Sequence, residues 1–269
     1  MPLPIIVNGS LGKMGVSIGA VVLSDASVIL SAAVERPGHP WIGQDYGMCI
    51  GKGACGVKIT DTLDAAAGLE KAVIIDFSSA QSTGRLLDLA LIKKMRLVIG
   101  TTGLTEKDLS IAKKTAERMP VLVSPNMSLG VNLLFSLTDL ISNRLKDDFD
   151  IEIIEAHHRF KKDAPSGTAR HLGEIVAKTY GLPYEQIIRN GRSGNAALDR
   201  PKNEVGMHAL RGGDIVGDHT VLFAGIGERI ELRHMAHSRT TFARGAVAAA
   251  KWLATRGPGY YSMKDVLGI

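Results

Sequence analysis

The segment from Pro4 to Glu35 constrains this chain more than any other. A short apolar run rich in β-branched residues, Pro4 to Asn8, leads into glycines at 9, 12 and 15, and the apolar-periodic stretch Val16 to Leu23 follows. That order reads as strand, glycine turn, helix. A second run, Val28 to Val34, ends at the acidic Glu35, about twenty residues past the last glycine, where a dinucleotide site places its ribose-binding acid. The glycines let the backbone turn tightly, so that the helix start points N–H groups and partial positive charge at a pyrophosphate. Gly9, Ser10, Leu11, Gly12, Lys13 and Met14 are therefore candidate cofactor contacts, with Glu35 at the ribose. Leu11 stands where the generic fingerprint has its middle glycine, and Met14 after Lys13 excludes a P-loop. Arg36 and Lys13 put two cations where a 2′-phosphate would sit, whereas Glu35 favours a free 2′-hydroxyl, so both NADH and NADPH are expected to serve.

Further βα units follow. Ala72 to Phe77 reads as a buried strand, Thr83 to Ile92 as a helix, Arg96 to Ile99 as a strand closed by the turn Gly100, Thr101, Thr102, Gly103, and Pro120 to Ser124 as another strand. In a doubly wound sheet ligands meet the carboxyl ends of strands. Phe77, the turn with Gly100, Thr101 and Thr102, and the stretch Ser124, Pro125, Asn126, Met127 should then face the nicotinamide half of the cofactor.

The second half changes pattern. A helix over Ser128 to Leu145 precedes a strand from Asp150 to Glu155, a histidine segment, a helix from Thr168 to Tyr180 ended by Gly181, and strands near 205–210, 217–223 and 228–233. The expected architecture is α/β: an N-terminal Rossmann-type dinucleotide-binding domain, 1–127 with 240–269, and a C-terminal α+β domain, 128–239, with an open mixed β-sheet. A final helix over Thr241 to Ala254, apolar nearly all round, would return to the first domain.

Between Glu152 and Ala169 lie adjacent histidines, several cations and a helix start. Imidazoles near neutral pH move protons, lysines carry charge to an anion, and a Ser-Gly-Thr helix start exposes backbone N–H groups. The pattern suits an anionic substrate. Net charge is +5, yet Lys and Arg are spread along the chain with no basic run interleaved with aromatics, which argues against nucleic acid and for small anions. The spacing of Cys49 and Cys55 fits neither a redox pair nor a zinc set, and the start of the chain has no basic region ahead of an apolar stretch. The span from Met14 to Val34 is broken by Asp25 and small polar residues, so no membrane segment is expected and the cytoplasm is the expected compartment.

The motifs resemble those of the 4-hydroxy-tetrahydrodipicolinate (dihydrodipicolinate) reductase family. Its signature Glu-x-x-Glu-x-His-x-x-x-Lys-x-Asp-x-Pro-Ser-Gly-Thr-Ala is matched from Glu152 through Ala169, its Gly-x-x-Gly-x-Met-Gly loop from Gly9 to Gly15, and its Gly-Thr-Thr-Gly turn from Gly100 to Gly103. Asn126 to Asn132 matches as well. The resemblance implies reduction of a small cyclic dicarboxylate by NADH or NADPH in lysine and diaminopimelate biosynthesis, by a homotetramer joined through the sheets of its second domains. It implies His157 as catalytic acid/base and Lys161 as proton donor, with His158, Gly167 and Thr168 on the substrate dicarboxylate. Ser166 at the helix start is a cap, a carboxylate contact, or both. Arg239 can add charge to the site, and Phe160 and Lys162 receive no role.

A metal site is not expected, because His157, His158 and His171 fit no zinc spacing and tandem histidines on a strand point apart. Two other readings remain open: a non-catalytic NAD(P)-sensing regulator, which would not need Lys161, and a dehydrogenase of another small acid.

Overall fold

The computed structural model describes residues 1–63, 71–194 and 200–269. The chain divides into two compact units, Met1–Leu129 with Arg239–Ile269, and Gly130–Ser238.

The first unit is built on a seven-stranded sheet in which every adjacent pair is parallel. Its strands are β1 (Leu3–Asn8), β2 (Val28–Val34), β3 (Ile59–Thr60), β4 (Val73–Asp76), β5 (Arg96–Ile99), β6 (Pro120–Val123) and β12 (Gly259–Tyr261), in the order β12-β6-β5-β4-β1-β2-β3. The order reverses direction at β1 and β4, the kind of switch point where doubly wound sheets bind ligands. Ile5, Val7, Val73, Ile75 and Val98 face one apolar cluster and Ile6, Ile74, Leu97 and Ile99 another, so both faces of the sheet are covered and the strands read as continuous apolar runs. The covering helices are α1 (Lys13–Ser24), α3 (Ala80–Lys93), α4 (Glu106–Ala116) and α8 (Thr240–Leu253), with short α2 (Tyr46–Cys49) and α9 (Met263–Leu267). Ala243, Ala246, Val247, Ala250 and Leu253 bury one stripe of α8 in the cluster that contains Ile18 and Val22 of α1.

Local capping sets the starts of two of these helices. The helix expected from Thr83 begins at Ala80, because Ser79 accepts from the backbone N–H of Ser82 and caps it earlier. Between β5 and β6, α4 is set by a reciprocal capping box in which Thr105 and Asp108 bond each other's backbone N–H.

The second unit carries a five-stranded mixed sheet in the order β11-β10-β7-β9-β8. Its strands are β7 (Asp150–His157), β8 (Ile188–Asn190), β9 (Val205–Arg211), β10 (Gly217–Ala224) and β11 (Arg229–Ala236), and its helices α5 (Leu129–Leu145), α6 (Gly167–Tyr180) and α7 (Tyr184–Ile187). β10 runs antiparallel to β7 and β11, whereas β9 runs parallel to β7 and β8. On β7 the burial alternates strictly from Ile151 to His157, which sends Ile151, Ile153, Glu155 and His157 to the face that packs on α5 and α6 with Leu134, Phe135, Leu172 and Val176. The strand continues two residues beyond the expected Glu155, so His157 is held by sheet pairing and not by a loop. The last strand lies at 229–236 and not 228–233, because its pairing with β10 extends to Ala236 opposite Gly217.

Candidate active site

In the first unit, β1 ends at Asn8 and the chain turns through Gly9, whose φ of +74° and 2.6 Å clearance between an added Cβ and the Phe77 carbonyl oxygen admit only glycine. The N–H groups of Gly9 and Ser10 donate to the Val34 carbonyl, that of Leu11 to Glu35 Oε2 at 2.9 Å, and that of Gly12 to the Gly9 carbonyl. The loop amides are thus consumed internally. What the loop offers is the start of α1, where Gly12 supplies no side-chain cap and helix geometry leaves the first N–H groups, on Lys13 and Met14, without intrahelical partners. An anion fits there. Beside it lies a cavity of about 420 Å³ lined by Gly9, Gly12, Glu35, Arg36, Phe77 and Arg85 among others. Its size suits the nucleoside end of a dinucleotide. The Glu35 carboxylate also accepts from the Arg36 N–H at 3.0 Å, which fixes it at the mouth of β2 with lone pairs to spare for a ribose hydroxyl.

The turns after β4, β5 and β6 hold the remaining candidates. Gly100 is required by contact, since a Cβ there would lie 2.2 Å from the Phe77 ring. Thr101 is buried and its hydroxyl serves the fold: it donates to Asp76 Oδ2 at 2.9 Å and accepts from the Ser78 N–H. Thr102 and Pro125 are exposed. Ser124 donates to the Asn126 carbonyl and Asn126 accepts from the Ser128 N–H, so this turn is self-bonded. The Met127 side chain sits in the apolar core, which leaves only its backbone for a ligand.

Sequence reading missed what holds these turns together. Asp76, fully buried, accepts from Asn8 Nδ2 at 2.7 Å, Ser78 Oγ at 2.6 Å, Thr83 Oγ1 at 2.5 Å and Thr101 Oγ1 at 2.9 Å, which ties the ends of β1, β4 and β5 to α3. An acidic residue closing an otherwise apolar strand was the available signal. Arg85 was not legible, because its place beside Arg36 depends on how α3 packs.

In the second unit, Glu155 is the centre of the histidine segment. Its carboxylate is fully buried and accepts from Arg211 through both oxygens at 2.8 Å, from the Ser166 N–H at 3.0 Å, and from His157 Nδ1 at 2.6 Å. Burial pushes its carboxyl up, but Arg211, the His157 contact and the Ser166 N–H outweigh that and hold it below the ordinary range, so it is ionised. A carboxylate can only accept, so His157 carries its proton on Nδ1 and leaves Nε2 as the working nitrogen. Burial pulls the His157 titration down; Glu155 opposes this and Lys161 and Arg211 reinforce it, with the net direction down.

Lys161 forms an ion pair with Asp163 at 2.9 Å and keeps a partly exposed side chain. His158 is half-buried just past the end of β7, and its Nδ1 has no partner among the described residues. Ser166 caps α6 by accepting from the Ala169 N–H at 3.2 Å, and its Oγ also meets His219 Nε2 at 3.1 Å. With its own N–H on Glu155, the buried Ser166 is a structural cap in this structure and not a free donor. Gly167 is exposed, and a Cβ there would meet nothing within 4 Å, so packing does not require glycine and a ligand can approach closely. Thr168 follows it, half-buried in the first turn of the helix. Arg239 precedes α8 in the first unit. His219, which sequence reading passed over, lies edge-on to His157 at a ring separation of 5.2 Å.

Comparison with known proteins identifies the family of the chain. The family model for the N-terminus of dihydrodipicolinate reductase matches residues 3–127, and the model for its C-terminus matches 130–267. The chain is 46% identical over 266 residues to the 4-hydroxy-tetrahydrodipicolinate reductase of Geotalea uraniireducens and 47% identical over 266 residues to that of Trichlorobacter lovleyi, covering 98% of both chains in each case. A dipicolinate-bound dihydrodipicolinate reductase from a Paenisporosarcina species shares the fold, with a TM-score of 0.76 at 22% identity over 97% of this chain and 98% of that one. With both halves matched and the relatives aligned end to end, the chain belongs to the dihydrodipicolinate reductase family of nicotinamide-dependent oxidoreductases.

Proposed function

We propose that the protein reduces 4-hydroxy-tetrahydrodipicolinate, which loses water to give the conjugated dihydrodipicolinate, to tetrahydrodipicolinate with NADH or NADPH, in lysine and diaminopimelate biosynthesis in the cytoplasm. The observation that carries the reading is the buried Glu155–His157 pair next to Lys161 and the open start of α6, in a chain aligned end to end with reductases of that name.

Bound NAD(P)H supplies a hydride from C4 of its nicotinamide. The first-unit residues orient the nucleotide: the Lys13 and Met14 amides take the pyrophosphate, Glu35 the ribose, and Arg36 with Lys13 a 2′-phosphate where there is one. Hydride addition to a conjugated cyclic imine leaves an enamine-like anion that needs one proton. The Lys161 ammonium donates it, and His157, neutral with Nε2 available, accepts and relays the proton that restores Lys161. The Gly167 and Thr168 helix-start groups hold one substrate carboxylate while His158 contacts the dicarboxylate. The second-unit sheet keeps half-buried Ile154, Thr220 and Leu222 and exposed Leu210 and Met235, and this supports a homotetramer joined through these sheets.

NAD(P)H oxidation is measured with freshly made dihydrodipicolinate synthase product. Substrate-dependent turnover is expected with both cofactors, within about two orders of magnitude in kcat/KM, and Arg36→Ala should raise KM for NADPH while sparing NADH. Lys161→Ala should bind NADH normally and lose nearly all turnover. Oxidation with neither cofactor, or full kcat in Lys161→Ala, would overturn the assignment.

A further inference from the structure

We propose that Glu155, clamped by Arg211, is the positioning residue of this site: it fixes His157 with Nε2 turned to the ligand and ties the start of α6 to the same carboxylate. The inference rests on the reading of His157 as the acid–base group. The carboxylate has two oxygens and four donors. Oε2 accepts from His157 Nδ1 and Arg211 Nη1, and Oε1 from the Ser166 N–H and Arg211 Nη2. No neutral side chain of the same shape can replace it, because an amide would point an N–H at one pair of donors.

The parts come from well-separated places in the sequence. Glu155 and His157 share a face of β7 by the two-residue repeat of a strand, and Arg211 arrives because β9 pairs with β7 in a register that sets Arg211 beside His157. Arg211 is itself held by the carbonyls of Leu210 and Asp163, so the guanidinium cannot swing away without losing both. One buried group therefore sets the orientation of the imidazole and the place of Gly167 and Thr168 together. Removing it would disturb proton transfer and carboxylate binding at once, although it touches neither substrate nor cofactor.

The groups around His157 give the proposal a sign. Glu155 faces it from its own strand, Arg211 from β9, His219 from β10, and Lys161 with its partner Asp163 from the following loop. Burial holds His219 neutral, so the charges that count are Glu155, Arg211 and Lys161. Glu155→Gln removes the anion, and His157 should bind its proton more weakly. Arg211→Met removes a cation from both members of the pair, and the pair should bind its proton more tightly. Opposite shifts from two neighbouring substitutions are not what loosened packing alone would give.

The test uses the full-length enzyme labelled with 15N-histidine, with the His157 signal assigned by loss in His157→Gln. Nitrogen spectra of wild type should show the Nδ1–H form of neutral His157, and an Nε2–H form overturns the proposal. In the pH titration the midpoint should fall by about one unit in Glu155→Gln and rise by about one unit in Arg211→Met; shifts of the same sign, or none, overturn it. NADH affinity, carried by the first unit, should stay within twofold of wild type in both variants, and if Glu155→Gln does not fold, the wild-type tautomer and Arg211→Met still decide. The pH limb of kcat/KM should move with the spectroscopic midpoint. Spectra as expected with an unmoved limb would overturn the acid–base role of His157 and leave its positioning intact.

Discussion

His219 is 4% exposed, and burial, reinforced by His157, lowers its titration from the ordinary 6.5 to about 3. Its neighbours leave it no carboxylate in contact: its Nε2 meets the Ser166 hydroxyl, and its Nδ1 has no partner among the described residues. Above pH 6.5 the group is neutral in both folded and unfolded chains and contributes nothing to pH dependence. Between 6.5 and 3 only the unfolded chain takes the proton, so stability falls by about 1.4 kcal/mol per pH unit from this residue. At fixed protein concentration, His219→Gln should lose about 2 kcal/mol less than wild type between pH 7 and 5 in urea unfolding, since the glutamine does not titrate. Equal losses would mean that His219 is solvated enough to protonate in the folded state. The same residue shows where reading a sequence stops. Its type was visible, but its burial against Ser166 and His157 is a property of the β10–β7 register, which sets His219 opposite Glu155 across some sixty residues of chain.

Among elements, legibility followed the strength of the local pattern. β1, β2, β4, β5 and β6 are apolar runs bounded by turns, and α6 carries both its cap, Ser166, and its terminating glycine, Gly181 at φ +67°, in the sequence. The four-residue α2 gave no such pattern. It lies in a glycine-rich stretch and owes its shape to Asp45, which accepts from the backbone N–H groups of Met48, Cys55 and Gly56. That helix nevertheless reaches the cofactor loop. Its fully buried Tyr46 has its hydroxyl within reach of the Ser10 carbonyl at 3.1 Å and the Gly15 carbonyl at 2.9 Å, and a side chain at Gly19 would collide with the ring. Tyr46→Phe keeps the ring and removes the hydroxyl. A hydrogen bond of this kind contributes about 1 kcal/mol, so NADH affinity should fall about fivefold, read by quenching of cofactor fluorescence, with kcat within twofold. An unchanged affinity would mean that the loop holds its shape without this tether. The candidate site divides along the same line: the residues of the signature stood in one segment, whereas Arg211, His219 and Asp76 act through pairings that no local repeat encodes.

On the scale of the whole molecule, the two units differ in how the chain makes them. Residues 130–238 are one continuous stretch, whereas the first unit needs both Met1–Leu129 and Arg239–Ile269. In the second unit, Leu222 and Ile154 face the side of the sheet opposite the α5 and α6 cluster. If that face joins the subunits of a tetramer, Leu222→Arg should shift sedimentation to smaller species while NADH binding persists; an unchanged oligomer would place the contact elsewhere. No helix among the described residues is long and apolar enough to cross a membrane. The returning segment supplies β12, which extends the first sheet beside β6, and α8, whose buried stripe shares the apolar cluster with α1 and the strands β1, β4, β5 and β6. During synthesis the ribosome delivers the cofactor-binding strands first and their cover last. The early half must wait, with Val73, Ile75, Val98 and Leu122 lacking their cover, while the later-made second unit can close on itself. The first unit is therefore completed only after the second has been made, and until then it carries uncovered apolar strand faces of the kind on which partly folded chains associate.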